Sequence, residues 1–159
     1  MHQYLNQKMI KYIDTEVTLA EVPSEISLCI SISGCTIHCP GCHSQHLWND
    51  TGNILTIDKL DELIAANDDI SCVCIMGGDY DVDTVYALGK HIKSRGLKSA
   101  WYSGVMRPLD DKLAEYFDYI KIGPYIENLG PLTKKTTNQR FYKITNINGK
   151  ITFVNILFY

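Results

Sequence analysis

Apolar residues along this chain follow two spacings that alternate with each other. Short runs rich in β-branched residues predict buried strands, and runs in which apolar residues share one helical face predict helices between them. Strands are predicted at 9–19, 26–34, 70–79, 97–104 and 118–124. Helices are predicted at 56–67, 82–96 and 109–117, with Thr56 as an N-cap and Gly96 as a stop.

Repeated strand–loop–helix units imply a mainly parallel sheet with right-handed crossovers. The chain has too few units for a closed eight-fold barrel, so the expected architecture is α/β, an open partial (β/α) barrel. We expect a single domain over 1–159, with a core at about 26–124. Residues 125–159 are expected to form a C-terminal extension that ends in a hairpin about Asn148-Gly149.

Several distinctive residues fall where predicted parallel strands end. They are a cysteine-rich loop after the strand at 26–34, Gly77-Gly78-Asp79, Ser103-Gly104 and Gly123-Pro124. Ligands on parallel sheets bind beyond the carboxyl ends of the strands. The sequence therefore predicts one composite site at this edge.

Composition and charge narrow the class of protein. The 159 residues are 45% hydrophobic and carry a net charge of −3, which gives no electrostatic case for nucleic acid or an anionic membrane. Apolar stretches are far shorter than a membrane span, and the N-terminus lacks the apolar core of a secretory signal. We expect a cytoplasmic protein, in which clustered thiols are metal ligands or catalysts rather than disulfides.

The stretch "GCTIHCPGCHSQHLW" holds three cysteines, Cys35, Cys39 and Cys42, in the spacing C-x3-C-x2-C. Three interpretations are open: a zinc site, a disulfide with a spare thiol, and a 4Fe-4S cluster with one iron left open. Zinc requires a fourth ligand, for which the candidates are His38, His43 and His46. The remaining cysteines, Cys29, Cys72 and Cys74, lie in predicted strands and are expected to pack in the core.

This motif after a first strand, with a glycine pair ending the second, resembles the radical S-adenosylmethionine (SAM) superfamily. The stretches "GCTIHCPGCHSQHLW", "MGGDY", "WYSGV", "IGPYI" and "TTNQRF", in that order, resemble the activating proteins of the anaerobic (class III) ribonucleotide reductase. The resemblance runs from about residue 26 to 142. It implies a partial barrel of the radical SAM type.

The resemblance also implies an activity. Cys35, Cys39 and Cys42 would bind a 4Fe-4S cluster whose open iron chelates SAM. Reductive cleavage of SAM would give a 5′-deoxyadenosyl radical that takes a hydrogen atom from a glycine of the anaerobic ribonucleoside-triphosphate reductase. The implied electron donor is a reduced flavodoxin- or ferredoxin-like protein.

By the same resemblance, two segments contact SAM. Gly77, Gly78 and Asp79 would hold its amino group, because glycines admit a close ligand and a carboxylate accepts hydrogen bonds from an amine. Backbone contacts are expected at Gly41, Cys42 and His43, with stacking of the His43 ring as a hypothesis, and Ser103 is a further candidate. Trp48 is expected to pack the cysteine loop, and Lys121 departs from the family pattern.

Two alternative functions remain open. One is an activase of another glycyl-radical enzyme of the pyruvate formate-lyase type. The other is a non-catalytic module that binds zinc or an iron–sulfur cluster and would require a fourth protein ligand.

Overall fold

One mixed β-sheet organises the computed structural model, which describes residues 9–159. The sheet order is β3-β1-β2-β4-β5-β6-β7-β8. The strands span Lys11–Thr18 (β1), Ser27–Ile32 (β2), Asn53–Ile54 (β3), Cys72–Met76 (β4), Lys98–Tyr102 (β5), Tyr119–Ile122 (β6), Arg140–Ile147 (β7) and Lys150–Ile156 (β8). Residues 1–8, for which the sequence predicted no secretory signal, lie outside the described residues.

The centre of the sheet is parallel and its flanks are antiparallel. Strands β2, β4, β5 and β6 run in one direction, with Cys29 opposite Cys74 and Trp101 opposite Ile120. Strand β1 pairs antiparallel with both β2 and β3, and β7 pairs antiparallel with both β6 and β8. The four carboxyl ends of the central strands therefore meet at one edge.

Two α-helices lie within residues 9–159, α1 at Ile57–Ala65 and α2 at Val82–Ser94. The Thr56 hydroxyl accepts a hydrogen bond from the Lys59 backbone N–H, as its predicted N-cap role requires. After α2, Gly96 takes a positive φ of 77°, which confirms the predicted stop. The other two helical segments are short 3-10 turns, at Gln45–Trp48 and Asp111–Glu115.

The prediction of an open partial (β/α) barrel with a mainly parallel sheet is wrong. Four of the seven strand pairings are antiparallel, and only the connections β2–β4 and β4–β5 contain an α-helix. Each step around a (β/α) barrel needs a crossover that returns the chain to start another parallel strand. Here the chain reverses its direction after β6, and the antiparallel hairpin of β7 and β8 completes the sheet.

The sheet buries a different core on each face. The helix-side core combines Leu60, Val85, Leu88 and Ile92 with strand residues that include Ile75 and Trp101. The opposite core contains Val22, Cys29, Cys72, Cys74, Ala100, Tyr119 and Phe141. The three strand cysteines are thus buried, as predicted. Neither α-helix in the described part of the chain combines the length and apolarity that a membrane span needs.

Candidate functional site

The cysteine loop, residues 34–49, leaves the end of β2 and is closed at its neck by backbone hydrogen bonds. The Gly34 N–H donates to the Asn49 carbonyl at 3.0 Å, and the Cys35 N–H donates to the Leu47 carbonyl at 2.9 Å. The positive φ of Gly34, 74°, allows the chain to leave the strand at this angle. The three cysteines are consequently held on a loop anchored to the sheet edge.

Within the loop, a tight turn brings two of the cysteines together. The Cys42 N–H donates to the Cys39 carbonyl at 3.1 Å, with Gly41 between them at a φ of 75°. The Ser44 N–H donates to the Cys42 Sγ at 3.3 Å. A donor aimed at sulfur stabilises the thiolate, which is the form that binds metal.

The aromatic and histidine residues of the loop are partly or largely exposed, and each lies near another side chain. His38 stacks on Trp48 with ring centroids 4.5 Å apart, which confirms that Trp48 packs the loop. His43 is exposed and lies 5.6 Å from the Tyr125 ring. His46 is exposed and pairs with Asp14 at 3.6 Å.

All three motif cysteines are partly exposed and line one cavity of about 550 Å³. We call it the cysteine cavity. Among residues 9–159, no three side chains of His, Cys, Asp or Glu are grouped closely enough to hold one metal ion. The thiolates of a cluster bind separate irons, so they surround a volume instead of a single point.

The wall opposite the cysteine loop is formed by the end of β4. Gly77 and Gly78 have φ values of 112° and 86°, a region that L side chains rarely adopt. A Cβ on Gly78 would lie 2.6 Å from Val85 Cγ2 of α2, so glycine is also required for packing there. The Gly77 carbonyl accepts a hydrogen bond of 2.8 Å from the Trp101 indole, which fixes this turn to the core.

Asp79 is held by three donors from the segment that follows β5. Its carboxylate accepts hydrogen bonds from the Ser103 hydroxyl, the Gly104 N–H at 2.9 Å and the Arg107 guanidinium at 2.7 Å. Arg107 also lies over the Trp101 ring at 4.5 Å. The Asp79 side chain is 9% exposed and the Arg107 side chain 18%, so the ion pair is largely removed from solvent.

Arg107 is a residue that the sequence reading missed. It sits in a loop without a motif, and its role appears only when β4 and β5 are placed side by side. The one available signal was its position four residues after Ser103, at a predicted parallel strand end.

Lys121 on β6 is 8% exposed and lines the cysteine cavity. Its ammonium donates to the Gly123 carbonyl at 2.8 Å and to the Ser103 carbonyl at 3.2 Å. Burial lowers the pKa of Lys121 from 10.5 to about 8, and the negative charges of Asp79, Cys39 and Cys42 oppose this shift. A buried cation therefore faces the same space as the thiols.

The last wall comes from residues 123–139, which connect β6 to β7. Tyr125, Pro131, Leu132 and Gln139 line the cavity from this segment. The Asn138 side-chain amide donates to the Pro124 carbonyl at 3.0 Å, and Arg140 donates to the Thr137 carbonyl at 2.7 Å. The Asn138-Gln139-Arg140 stretch thus orders this segment.

The structure gathers most of the residues singled out in the sequence at one place. Those that line the cysteine cavity are Cys35, Cys39, Cys42, His43, Gly77 and Asp79. Three others, Gly41, Gly78 and Ser103, do not line it but adjoin residues that do. Ser103 is fully buried, with its hydroxyl engaged by Asp79 and Arg107.

Comparison with known families identifies the kind of metal centre that the three cysteines hold. The model of the family described as the 4Fe-4S single cluster domain matches residues 26–144. This protein belongs to that family. Neither a curated protein nor a solved structure gives a significant match to the chain.

A 4Fe-4S cluster is therefore the cofactor, which was one of the three interpretations of the cysteine motif. The site fits it: one cavity presents three partly exposed thiols, a backbone donor to one sulfur and a buried cation. All six cysteines of the chain are free, and the three outside the motif lie in the core and do not line the cavity. No fourth cysteine is thus available to the cluster.

Proposed function

We propose that this protein is a radical SAM enzyme that cleaves S-adenosylmethionine reductively and installs a glycyl radical on an anaerobic ribonucleoside-triphosphate reductase. One observation carries the proposal. Three thiols, without a fourth, share a cavity of about 550 Å³ with the ends of three further parallel strands. That volume is in the range of small-molecule sites, roughly 300–1,000 Å³.

In this proposal Cys35, Cys39 and Cys42 hold the cluster. When bound, the cluster supplies one electron and an iron with an open coordination position. The chain's own residues bind and orient the SAM molecule. Gly77 brings backbone close to the ligand, and one acceptor position on Asp79 Oδ2 is left for an amine after Gly104 is bonded. The contacts with SAM that the resemblance implies at Gly41, Cys42, His43, Gly78 and Ser103 are part of the same proposal.

The remaining lining of the cavity favours an apolar ligand body. Ile32, Ile37, Met76, Leu132 and Phe158 line it from five different segments. Apolar walls around a few polar groups are typical of small-molecule sites and exclude water from a reactive intermediate. The proposal depends on this site and on the sequence motifs, and it makes no use of a barrel.

The partner, the electron donor and the compartment belong to the same proposal. The partner presents a glycine to the cavity mouth, and a reduced flavodoxin- or ferredoxin-like protein supplies the electron in the cytoplasm. The combination of Cys39-Pro40-Gly41-Cys42 and "TTNQR" favours the reductase over a pyruvate formate-lyase type of enzyme as the target.

The test is anaerobic reconstitution followed by product analysis. We expect about four irons per chain, as a 4Fe-4S cluster requires, and formation of methionine and 5′-deoxyadenosine from SAM under a strong reductant. With the purified reductase present, a glycyl radical should appear in its EPR spectrum. Cys39→Ser should abolish the cluster and both reactions, whereas Cys29→Ala, at a buried thiol outside the cavity, should retain them.

Two results would contradict the proposal in different ways. A stable cluster that never cleaves SAM would leave a non-catalytic iron–sulfur module. SAM cleavage with radical transfer only to a pyruvate formate-lyase type of enzyme would keep the chemistry and change the target.

A further inference from the structure

Lys121 is a buried cation without an anionic partner among residues 9–159. The residue is only 8% exposed, and both of its side-chain hydrogen bonds go to backbone carbonyls. The neighbouring carboxylate, Asp79, is already paired with Arg107 at 2.7 Å. Buried charges are normally paired, because an isolated ion in a low-dielectric interior is costly. The position of Lys121 therefore calls for an anion in the cavity it lines.

The cluster is that anion. Three thiolates give the oxidised cluster site a net negative charge, and one-electron reduction adds another. Lys121 lines the same cavity as Cys35, Cys39 and Cys42. Because Arg107 pairs with Asp79, the Lys121 ammonium is a positive charge in the cavity lining that no ion pair within residues 9–159 neutralises.

We propose that Lys121 is the fixed countercharge of the 4Fe-4S cluster and raises its reduction potential. A cation beside the site stabilises the reduced, more negative state more than the oxidised one. Two carbonyl hydrogen bonds hold the ammonium in place on β6, so this charge does not depend on a flexible side chain. The inference uses the cluster of the family and does not require the proposed SAM chemistry.

The experiment is a redox titration of the reconstituted protein at neutral pH without SAM, followed by EPR. Lys121→Gln keeps a hydrogen-bond donor but removes the charge. At a fixed solution potential we expect its ratio of reduced to oxidised cluster to fall about tenfold, as the loss of a unit charge near a buried site implies. Lys121→Arg keeps the charge and should stay close to the wild type.

Lys93→Gln is the matched control. Lys93 also donates to a carbonyl, that of Ala114 at 2.7 Å, but it lies outside the cysteine cavity. Lys93→Gln removes the same positive charge and should leave the reduction potential of the cluster unchanged. If Lys121→Gln titrates like the wild type, or no differently from Lys93→Gln, the inference is overturned. If Lys121→Gln fails to assemble a cluster, the charge-free Lys121→Met is titrated in its place: a lowered potential supports the inference and an unchanged one overturns it.

The outcomes are separable from those of the proposed function. If Lys121 only binds the carboxylate of a small molecule, Lys121→Gln should weaken SAM binding but leave the reduction potential of the ligand-free cluster unchanged. That result would overturn this inference and leave the proposed activity standing. A shifted potential in a protein that never cleaves SAM would support this inference and contradict the activity.

Discussion

At the scale of single residues, Asp79 has a structural role that its motif did not reveal. The sequence assigned it to a ligand amine, whereas three of its acceptor positions serve Ser103, Gly104 and Arg107. Arg107 in turn covers the Trp101 ring, and Trp101 bonds to the Gly77 carbonyl. One ion pair therefore stabilises the ends of both β4 and β5.

Arg107→Gln should lower the free energy of unfolding by about 2–3 kcal/mol, because it leaves a mostly buried carboxylate without its cation. Arg95→Gln is the control. Its guanidinium pairs with Asp61 at 3.3 Å, but its side chain is 48% exposed, so the expected loss is about 0–1 kcal/mol. Urea denaturation followed by circular dichroism measures both, and equal losses would argue against a buried pair at Asp79.

At the scale of elements, local signals located most of the regular structure. The caps at Thr56 and Gly96 and the strand runs were read correctly because each depends on neighbouring residues only. The predicted helix at 109–117 is instead a 3-10 turn at Asp111–Glu115. The Leu113 N–H donates to the Asp110 carbonyl and the Tyr116 N–H donates to the Leu113 carbonyl, which are the i to i+3 hydrogen bonds of a 3-10 turn.

The β7–β8 hairpin turns at Asn148-Gly149, as predicted, with φ values of 53° and 83°. Gly149→Ala should lower the free energy of unfolding by about 1 kcal/mol, since a Cβ disfavours this backbone region. The space around Gly149 is open, so no clash contributes. Gly149→Asn should cost less, because asparagine tolerates positive φ; thermal unfolding compares the three proteins, and identical midpoints would contradict the expectation.

At the scale of the whole molecule, the sequence predicted which residues meet but not the architecture that brings them together. The parallel strand ends were placed at one edge correctly because crossover helices imply direction. The antiparallel flanks escaped prediction, since the pairing of β1 with β3 and of β6 with β7 depends on long-range contacts without a local signature. The ion pair of Arg107 and the hydrogen-bond partners of Lys121 were not predicted either, because they too depend on long-range contacts.

The two groups of cysteines should differ chemically across the whole chain. Burial raises the pKa of the Cys72 thiol from 9.0 to about 12 and that of Cys74 well above 9.0. In cluster-free protein at pH 9, iodoacetamide should modify Cys35, Cys39 and Cys42 and reach the strand cysteines only after unfolding in urea. Peptide mass spectrometry reads the sites, and modification of Cys72 in the folded protein would contradict its burial.

The raised pKa of Cys72 predicts that alkaline pH lowers the stability of the folded protein. Unfolded Cys72 loses its proton near pH 9.0, whereas the folded thiol keeps it to about pH 12. The folded state therefore binds more protons in that window, and the free energy of unfolding should fall as the pH rises through it. Urea titrations at pH 8 and pH 10 measure the change, and a higher stability at pH 10 would contradict it.

The closed neck of the cysteine loop has a consequence for how the protein acquires its metal. Hydrogen bonds from Gly34 and Cys35 bring the two ends of the loop together through backbone groups alone. The conformational entropy of closing the loop is then lost when the chain folds, so binding of iron and sulfide does not have to close it. Cluster assembly therefore starts from a loop whose two ends are already joined, with Cys35 at the junction.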